Sequence, residues 1–495
     1  MEKKLPVTGK VPASIDRRGF MRRTGVGAGA MALGSAIGST QAQAGSAGEV
    51  RRKAEAKGVD YDVIVLGGGF AGITAARDCC KNGYRTLVLE ARDRLGGRTH
   101  TSDFAGHQVE LGGTWIHWSQ PFVWSEVQRY KLEVVETPDA HVDPAGAVTV
   151  VLVDGRREYL KTPEQLGTVF GAFNQYFAEA GGMWERPYDA SHGWKAITGS
   201  DRLCAQDVIG GMKLTRTQQV VLECYAAGLA HCPPERASQV DVNRWWSLPG
   251  GNLPALRDAA GRYRFKHGTV SLINKMVADG KPEIRLGTPV RSVEDRGGHV
   301  VVTTATGERL SAAGVIVALP MNVLPGVQFS PPLDEKVVAA GRERHAGVGI
   351  KLLTKVKGRL AAGRVTALAS PTHPLSLTST YAMADDHTIL VTFGPDPKRI
   401  DYRDKAAVQQ ALRDFFPDAV VEQVEFYPWT EDPCSLGTWA NYRPGWFGKY
   451  YAHFQQDRGR VIFGQGDHGE GWRGFIDGAI GAGSRAAVRV RALLG

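Results

Sequence analysis

Short apolar stretches with turn residues on either side predict strands at 61–66, 86–89, 283–286, 290–294, 300–304, 314–318, 349–355, 388–394 and 459–464. Helical patterns fall at 73–81, 124–130, 214–229, 404–416 and 479–494. Gly297-Gly298 between two predicted strands reads as a hairpin turn. From 124 to about 275 the text is richer in helical patterns, broken at Cys232-Pro233-Pro234 and at Leu248-Pro249-Gly250-Gly251. No internal repeat is apparent, and low complexity is confined to the first 57 residues.

The first strand runs straight into Gly67-Gly68-Gly69-Phe70-Ala71-Gly72, a G-x-G-x-x-G turn that opens a helix. Gly67 allows the tight turn, Gly69 lets the backbone approach a pyrophosphate, and Gly72 lets helix and strand pack closely. The pyrophosphate would rest on the free N–H groups and positive end of the helix. Glu90 ends the second strand about 20 residues on, where a carboxylate can accept ribose hydroxyls. Strand, helix, second strand and acid together predict a dinucleotide site.

Composition narrows the rest. At 495 residues the chain can build two domains or one elaborate one, and 43% hydrophobic with 22% charged residues is ordinary for a globular protein. Much of the formal charge of +9 sits in the first 44 residues. Beyond Ala44 remain 53 basic and 49 acidic residues, with no basic run interleaved with aromatics, so nucleic-acid binding is not expected. Asp16-Arg17-Arg18-Gly19-Phe20-Met21-Arg22 resembles the twin-arginine export motif. A Gly/Ala stretch too short for a stable membrane span follows, then an Ala42-Gln43-Ala44 cleavage site. Residues 1–44 are therefore expected to be a signal peptide, and the mature protein periplasmic. The twin-arginine machinery carries folded proteins, which suits an enzyme that loads its cofactor first. Cys79, Cys80, Cys204, Cys224, Cys232 and Cys434 have no metal-ligand or C-x-x-C spacing. Buried thiols are expected, no metal is, and an oxidising periplasm leaves a disulfide among the later ones open.

The continuation Glu90-Ala91-Arg92-Asp93-Arg94-Leu95-Gly96-Gly97-Arg98-Thr99 resembles the second FAD motif of the flavin amine oxidase superfamily. Arg98 is the better candidate for bridging pyrophosphate oxygens, while Arg92 and Arg94 read equally well as surface charges. Three later runs are similar to linked motifs of that family: Gly437-Thr438-Trp439-Ala440, Phe463-Gly464-Gln465-Gly466-Asp467 and Gly471-Trp472-Arg473-Gly474-Phe475-Ile476-Asp477-Gly478-Ala479. The resemblance implies an α/β architecture, with a discontinuous Rossmann-like FAD-binding domain and an inserted α+β substrate-binding domain. Its expected bounds are 45–58 for a linker, 59–123, 262–320 and 430–495 for FAD, and 124–261 and 321–429 for substrate.

The same resemblance assigns chemistry. Trp439 and Phe475 match the two aromatics that cage the amine against the isoalloxazine ring. Lys351 matches the lysine that reaches flavin N5 through a water. Gly113, Thr114 and Trp115 belong to a loop lying against the flavin. The backbone of Val290 is expected beneath the adenine. Gly466, Asp467 and the helix start at Phe475, Ile476 and Ala479 would hold the ribityl chain and flavin pyrimidine. Asp467 stands where the family usually has Glu. Animal monoamine oxidases attach FAD through a cysteine just before the first cage aromatic. Here that residue is Thr438, so non-covalent FAD is expected. Glu90–Thr99 and Leu111–Trp118 are most similar to the bacterial nicotine-degradation branch, in which an Asn can replace the second cage aromatic; this chain has Phe475. That branch implies oxidation of a secondary amine, pseudooxynicotine, by hydride transfer to flavin N5. The imine then hydrolyses to an aldehyde and methylamine. Dioxygen or a periplasmic carrier, a cytochrome c or a cupredoxin, would reoxidise the flavin. The alternatives are a primary amine, a polyamine or an L-amino acid as substrate, or a flavin-binding protein without turnover. An amino-acid oxidase needs a cationic anchor, for which Arg244, Arg264 and Arg443 stand as candidates.

Overall fold

Five parallel strands make up one side of the larger sheet. The computed structural model describes residues 58–138, 147–360, 364–454 and 456–495. The described residues belong to one compact unit, and the expected leader at 1–44 lies outside them. The eight-stranded sheet runs Glu283–Arg285, Thr86–Leu89, Tyr61–Leu66, Arg309–Val317, Val300–Thr304, Val290–Asp295, Gln328–Ser330, and Val461–Phe463 joins it beside Arg309–Val317. The first four strands and Val461–Phe463 are parallel, as buried Val/Ile/Leu runs covered on both faces require. Antiparallel Val290–Asp295 and Val300–Thr304 pair as the Gly-Gly turn predicts.

The first helix spans Phe70–Lys81, three residues earlier than the apolar pattern suggests, because it starts directly on the glycine turn. A Cβ on Gly72 would lie 1.8 Å from the Gly67 carbonyl oxygen, so only glycine fits there. The last helix, Ile476–Leu494, packs across the first. A Cβ on Gly483 would sit 2.1 Å from the Ala71 carbonyl oxygen, which shows how closely the two backbones approach. Val63, Val65, Ile73, Val88, Ile316, Ile480 and Val490 join both helices to one face of the sheet in a single apolar cluster.

A second, seven-stranded sheet runs Val421–Phe426, Ile350–Lys357, His387–Gly394, Leu377–Met383, Arg364–Ala369, Ala147–Val153, Arg156–Leu160. All its pairs are antiparallel except Arg364–Ala369 with Ala147–Val153. The hairpin at 147–160 falls in a region whose sequence reads mainly as helical. Its turn is Asp154-Gly155, both with positive φ (48° and 77°), the geometry a two-residue hairpin favours. Helices, Arg216–Ala230 and Gln239–Ser247 among them, cover this sheet through an apolar cluster centred on Phe173, Val221, Trp245 and Leu368. Among the described residues no helix is long and apolar enough to cross a membrane, and no group of three or more His, Cys, Asp or Glu is placed to hold a metal. All six cysteines are free thiols.

Candidate active site

A cavity of about 330 Å³ opens at the C-terminal edge of the parallel strands. It gathers Gly67, Gly69, Phe70, Ala71, Glu90, Ala91, Arg92, Gly97, Arg98, Gly113, Val290, Lys351, Trp439, Gly466, Phe475, Ile476 and Ala479. Of the residues singled out in the sequence, Gly72, Thr114, Trp115 and Asp467 are not on its wall. The wall suits a dinucleotide on two structural grounds. Gly69 precedes the first helix without any side-chain cap, and that helix has no acidic residue in its first turn, so its leading N–H groups are left for an anion. Gly69 and Gly97 also bring bare backbone face to face: a Cβ on Gly97 would be 3.1 Å from Gly69 Cα. The Glu90 carboxylate is fixed beside them, accepting from Gly68 N at 2.6 Å and from Arg92 N at 2.9 Å.

Three polar residues sit differently from the sequence reading. Asp467 is wholly buried behind the wall rather than on it. Its carboxylate pairs with Arg98 and accepts from Met321 N at 2.8 Å, so it acts on the cavity through Arg98. Burial alone would push this carboxyl up, but the Arg98 guanidinium holds it below the usual range. Arg98 also donates to the Thr438 carbonyl at 2.8 Å, which ties the two halves of the wall together. Arg92 is not a surface charge: it is largely covered and paired with Asp432 at 2.6 Å. Nor is Arg94, which donates to the carbonyls of Gly97 and Thr99 and so shapes the glycine turn. Cys434, another wall residue, stands at this end, its N–H donating to Asp432 at 2.7 Å.

Lys351 points inward from the strand Ile350–Lys357 and is 3% exposed. Its Nζ donates to the carbonyls of Glu110 (2.6 Å) and Gly112 (2.9 Å) and to the Thr114 hydroxyl. It also lies 5.0 Å above the Trp115 ring. Burial drives the Lys351 ammonium down to about 7 against the pull of the Glu110 carboxylate. Thr114 and Trp115 thereby anchor this lysine, and Trp115 donates onward to Thr137 at 2.9 Å.

Beyond the cofactor-sized cavity lies a larger one of about 1010 Å³, with Phe170, Asn174, Tyr225, Thr366, Ser379 and Phe393 on its wall. Trp439, Phe475, Gly113, Gly474 and Ile476 line both. Trp439 and Phe475 therefore stand where the two spaces meet. Trp439 Nε1 donates to the Leu229 carbonyl at 2.9 Å. Phe475 is wedged against Trp245 (4.4 Å between ring centres) and Trp472 (4.9 Å). Arg244 is consumed by Asp241 and the Gly471 carbonyl, and Arg443 by backbone carbonyls at 343–344. Arg264 lies over the Tyr381 ring. None of these three arginines lines either cavity, which removes the proposed carboxylate anchors. Sequence reasoning missed His231, whose ring lies flat on Trp439, and Asn441, which ties Trp245 to the Leu229 and Ala230 carbonyls. Neither sits in a recognisable motif. Their roles come from the αL turn that ends one helix and from a contact across some 200 residues.

A parallel sheet with a glycine-turn helix, an adenosine-side acid and an aromatic pair at the junction of two cavities defines a flavoprotein oxidoreductase. The chain belongs to the flavin containing amine oxidoreductase family, whose pattern it matches over residues 70–491. It is 38% identical to a pseudooxynicotine dehydrogenase of Pseudomonas sp. over 97% of this chain and 96% of that one. It is 36% identical to a nicotine dehydrogenase of Pseudomonas putida, covering 96% and 98%. Among solved structures, putrescine oxidase superposes with a TM-score of 0.72 at 21% identity, over 87% of this chain and 99% of that one. Cyclohexylamine oxidase from Brevibacterium oxydans also gives 0.72, at 17% identity, over 88% and 99%. The protein is an FAD-dependent enzyme that oxidises amines.

Proposed function

We propose that the amine is a secondary amine of nicotine breakdown, pseudooxynicotine, converted to an imine that water opens to an aldehyde and methylamine. The observation that carries this reading is the pair Trp439 and Phe475 at the mouth between the two cavities. The names of the two relatives above supply the substrate class. When bound, FAD supplies a two-electron acceptor for the C–H bond next to nitrogen. Gly67, Gly69, Glu90, Arg98 and the first-helix N–H groups would hold its adenosine diphosphate half. Gly113, Lys351 and the start of the last helix would surround its ring half.

The protein's own part is positioning and desolvation. Aromatic faces attract an ammonium, while the water-poor space between them disfavours charge, so the amine is drawn in and then held neutral with its lone pair free. The large cavity takes the remainder of the substrate, with the Thr366 and Ser379 hydroxyls among its polar groups. A well-placed C–H bond needs no separate acid–base triad.

Mixing the holoenzyme anaerobically with a panel of amines, while following flavin absorption, tests the reading. Bleaching by pseudooxynicotine at least tenfold faster than by tyramine, putrescine or L-amino acids is expected. Preferential bleaching by any of the others overturns the substrate, and no bleaching by any of them overturns turnover itself. We further propose that residues 1–44 direct export of the folded protein through the twin-arginine route to the periplasm. A cytochrome c or cupredoxin there, rather than dioxygen, would take the electrons. Export is checked by the N-terminus of the mature protein, expected at Gly45. The acceptor is checked by comparing reoxidation rates with air and with a purified carrier.

A further inference from the structure

The ring of His231 lies parallel to the indole of Trp439, 4.1 Å between centres and 1° between planes. His231 is 1% exposed and sits just past the C-terminal end of the helix Arg216–Ala230, in the left-handed conformation at φ 53°. Its carbonyl accepts from both Val348 N (2.9 Å) and Gly349 N (2.7 Å), so its backbone is tied to the strand that carries Lys351. The ring is on the wall of the smaller cavity, beside the backbone of Ile350.

The side chain of Trp439 packs against the apolar cluster and makes a hydrogen bond from Nε1 to the Leu229 carbonyl. An indole pinned at one edge can still tilt about that edge. A flat ring pressed on its face removes the tilt. Phe393 closes the same corner edge-on, 5.7 Å from His231 and 6.0 Å from Trp439. On the far side of the mouth Phe475 is already fixed by Trp245 and Trp472. The free variable in the gap between the two cage rings is therefore the plane of Trp439.

We infer that His231 is a positioning residue for amine oxidation: by stacking on Trp439 it sets the width of the slot the amine enters, and with it the size of nitrogen substituent accepted. The ring supplies a flat face about as large as the contact needs. It carries no charge at neutral pH, so it adds no repulsion against an arriving ammonium. This rests on Trp439 facing the amine, and the experiment separates the two claims.

Holoenzymes carrying His231→Ala, His231→Phe and Trp439→Ala are compared with the parent, using N-methyl and N-benzyl forms of one amine. His231→Ala is expected to lower kcat/KM for the N-methyl amine at least tenfold and for the N-benzyl amine less than threefold, narrowing the selectivity. His231→Phe, which keeps the flat face, should restore the parent selectivity to within threefold. Melting temperature should stay within a few degrees, and the FAD dissociation constant, read by quenching of flavin fluorescence on titration into apoprotein, is measured for each variant so that selectivity is compared at saturating FAD. Unchanged selectivity in His231→Ala overturns the inference, as does a His231→Phe variant as damaged as His231→Ala. If His231→Ala fails to fold, the comparison of His231→Phe with His231→Gln decides by the same criterion. If Trp439→Ala turns over normally, it is the cage that fails.

Discussion

Asp467 bears its charge with no solvent contact, and its two oxygens serve Arg98 and Met321 N. Changing it to Asn keeps the shape and removes the ion pair, leaving the Arg98 guanidinium to the weaker hold of the Thr438 carbonyl. Asp467→Asn should weaken FAD binding about tenfold, roughly 1.4 kcal/mol, in a titration of apoprotein. The colour of the bound flavin should persist. Gly72 poses a harsher constraint, because any Cβ would collide with the Gly67 carbonyl. Gly72→Ala is expected to cost at least about 3 kcal/mol and to yield colourless or insoluble protein, as purified flavin content will show. The glycine could be read from its spacing alone. The true station of Asp467 could not, because the motif specifies a carboxylate near the flavin but not whether it touches ligand or touches Arg98.

Among the elements, the helix Arg216–Ala230 does most to shape the mouth. The Leu229 carbonyl accepts from Trp439 Nε1 and Asn441 Nδ2, that of Ala230 from Asn441 Nδ2, and Asn441 Oδ1 accepts from Trp245 Nε1 at 3.1 Å. The orphan carbonyls of a helix end are thus satisfied by side chains that hold the cage. Asn441→Ala leaves Trp245 Nε1 and the Ala230 carbonyl buried without partners, a cost of about 2–4 kcal/mol. Its melting temperature should fall measurably, and a melt indistinguishable from the parent would contradict the network. This helix was legible from its apolar spacing, and the strands Tyr61–Leu66, Thr86–Leu89 and Val300–Thr304 from their runs. Much of the second sheet was not. Arg364–Ala369 and Leu377–Met383 are interrupted by Thr and Ser that face inward and bond to one another, as Thr378 does to Thr392 at 2.9 Å. Such buried hydroxyls erase the alternation on which a strand reading depends.

At the scale of the whole molecule, acid is the expected weakness. Burial pushes His231 and His345 down to about 3 and His468 to about 4. An unfolded chain protonates all three near pH 6.5, while the native one resists until well below. The unfolded state therefore binds more protons across that window, and stability falls as pH drops from about 6.5 toward 4. Asp477, pushed by burial up to about 7, works in the opposite sense, its contribution fading as pH rises from about 4 to 7. Burial raises Glu110 and Asp201 in the same sense as Asp477, but it also lowers His100, His107, His117 and His373, so the histidines outnumber the carboxyls. The melting temperature should decline between pH 7 and 4.5 at fixed ionic strength; a flat or rising trend would count against the buried neutral histidines. Acid precipitation should also strip the yellow colour from the polypeptide, because Thr438 precedes Trp439 and Cys434 stands at the Glu90–Arg92 end of the cavity.

The strand Val461–Phe463 completes the parallel sheet beside Arg309–Val317, and the last helix lies across the first. A ribosome that has released residues 58–330 has made the glycine turn but not the far wall, which waits for Gly466, Phe475 and Ala479. The part of the cavity that would surround the flavin ring is therefore complete only after the nascent chain is finished. A cell short of riboflavin would accumulate full-length apoprotein rather than stalled fragments.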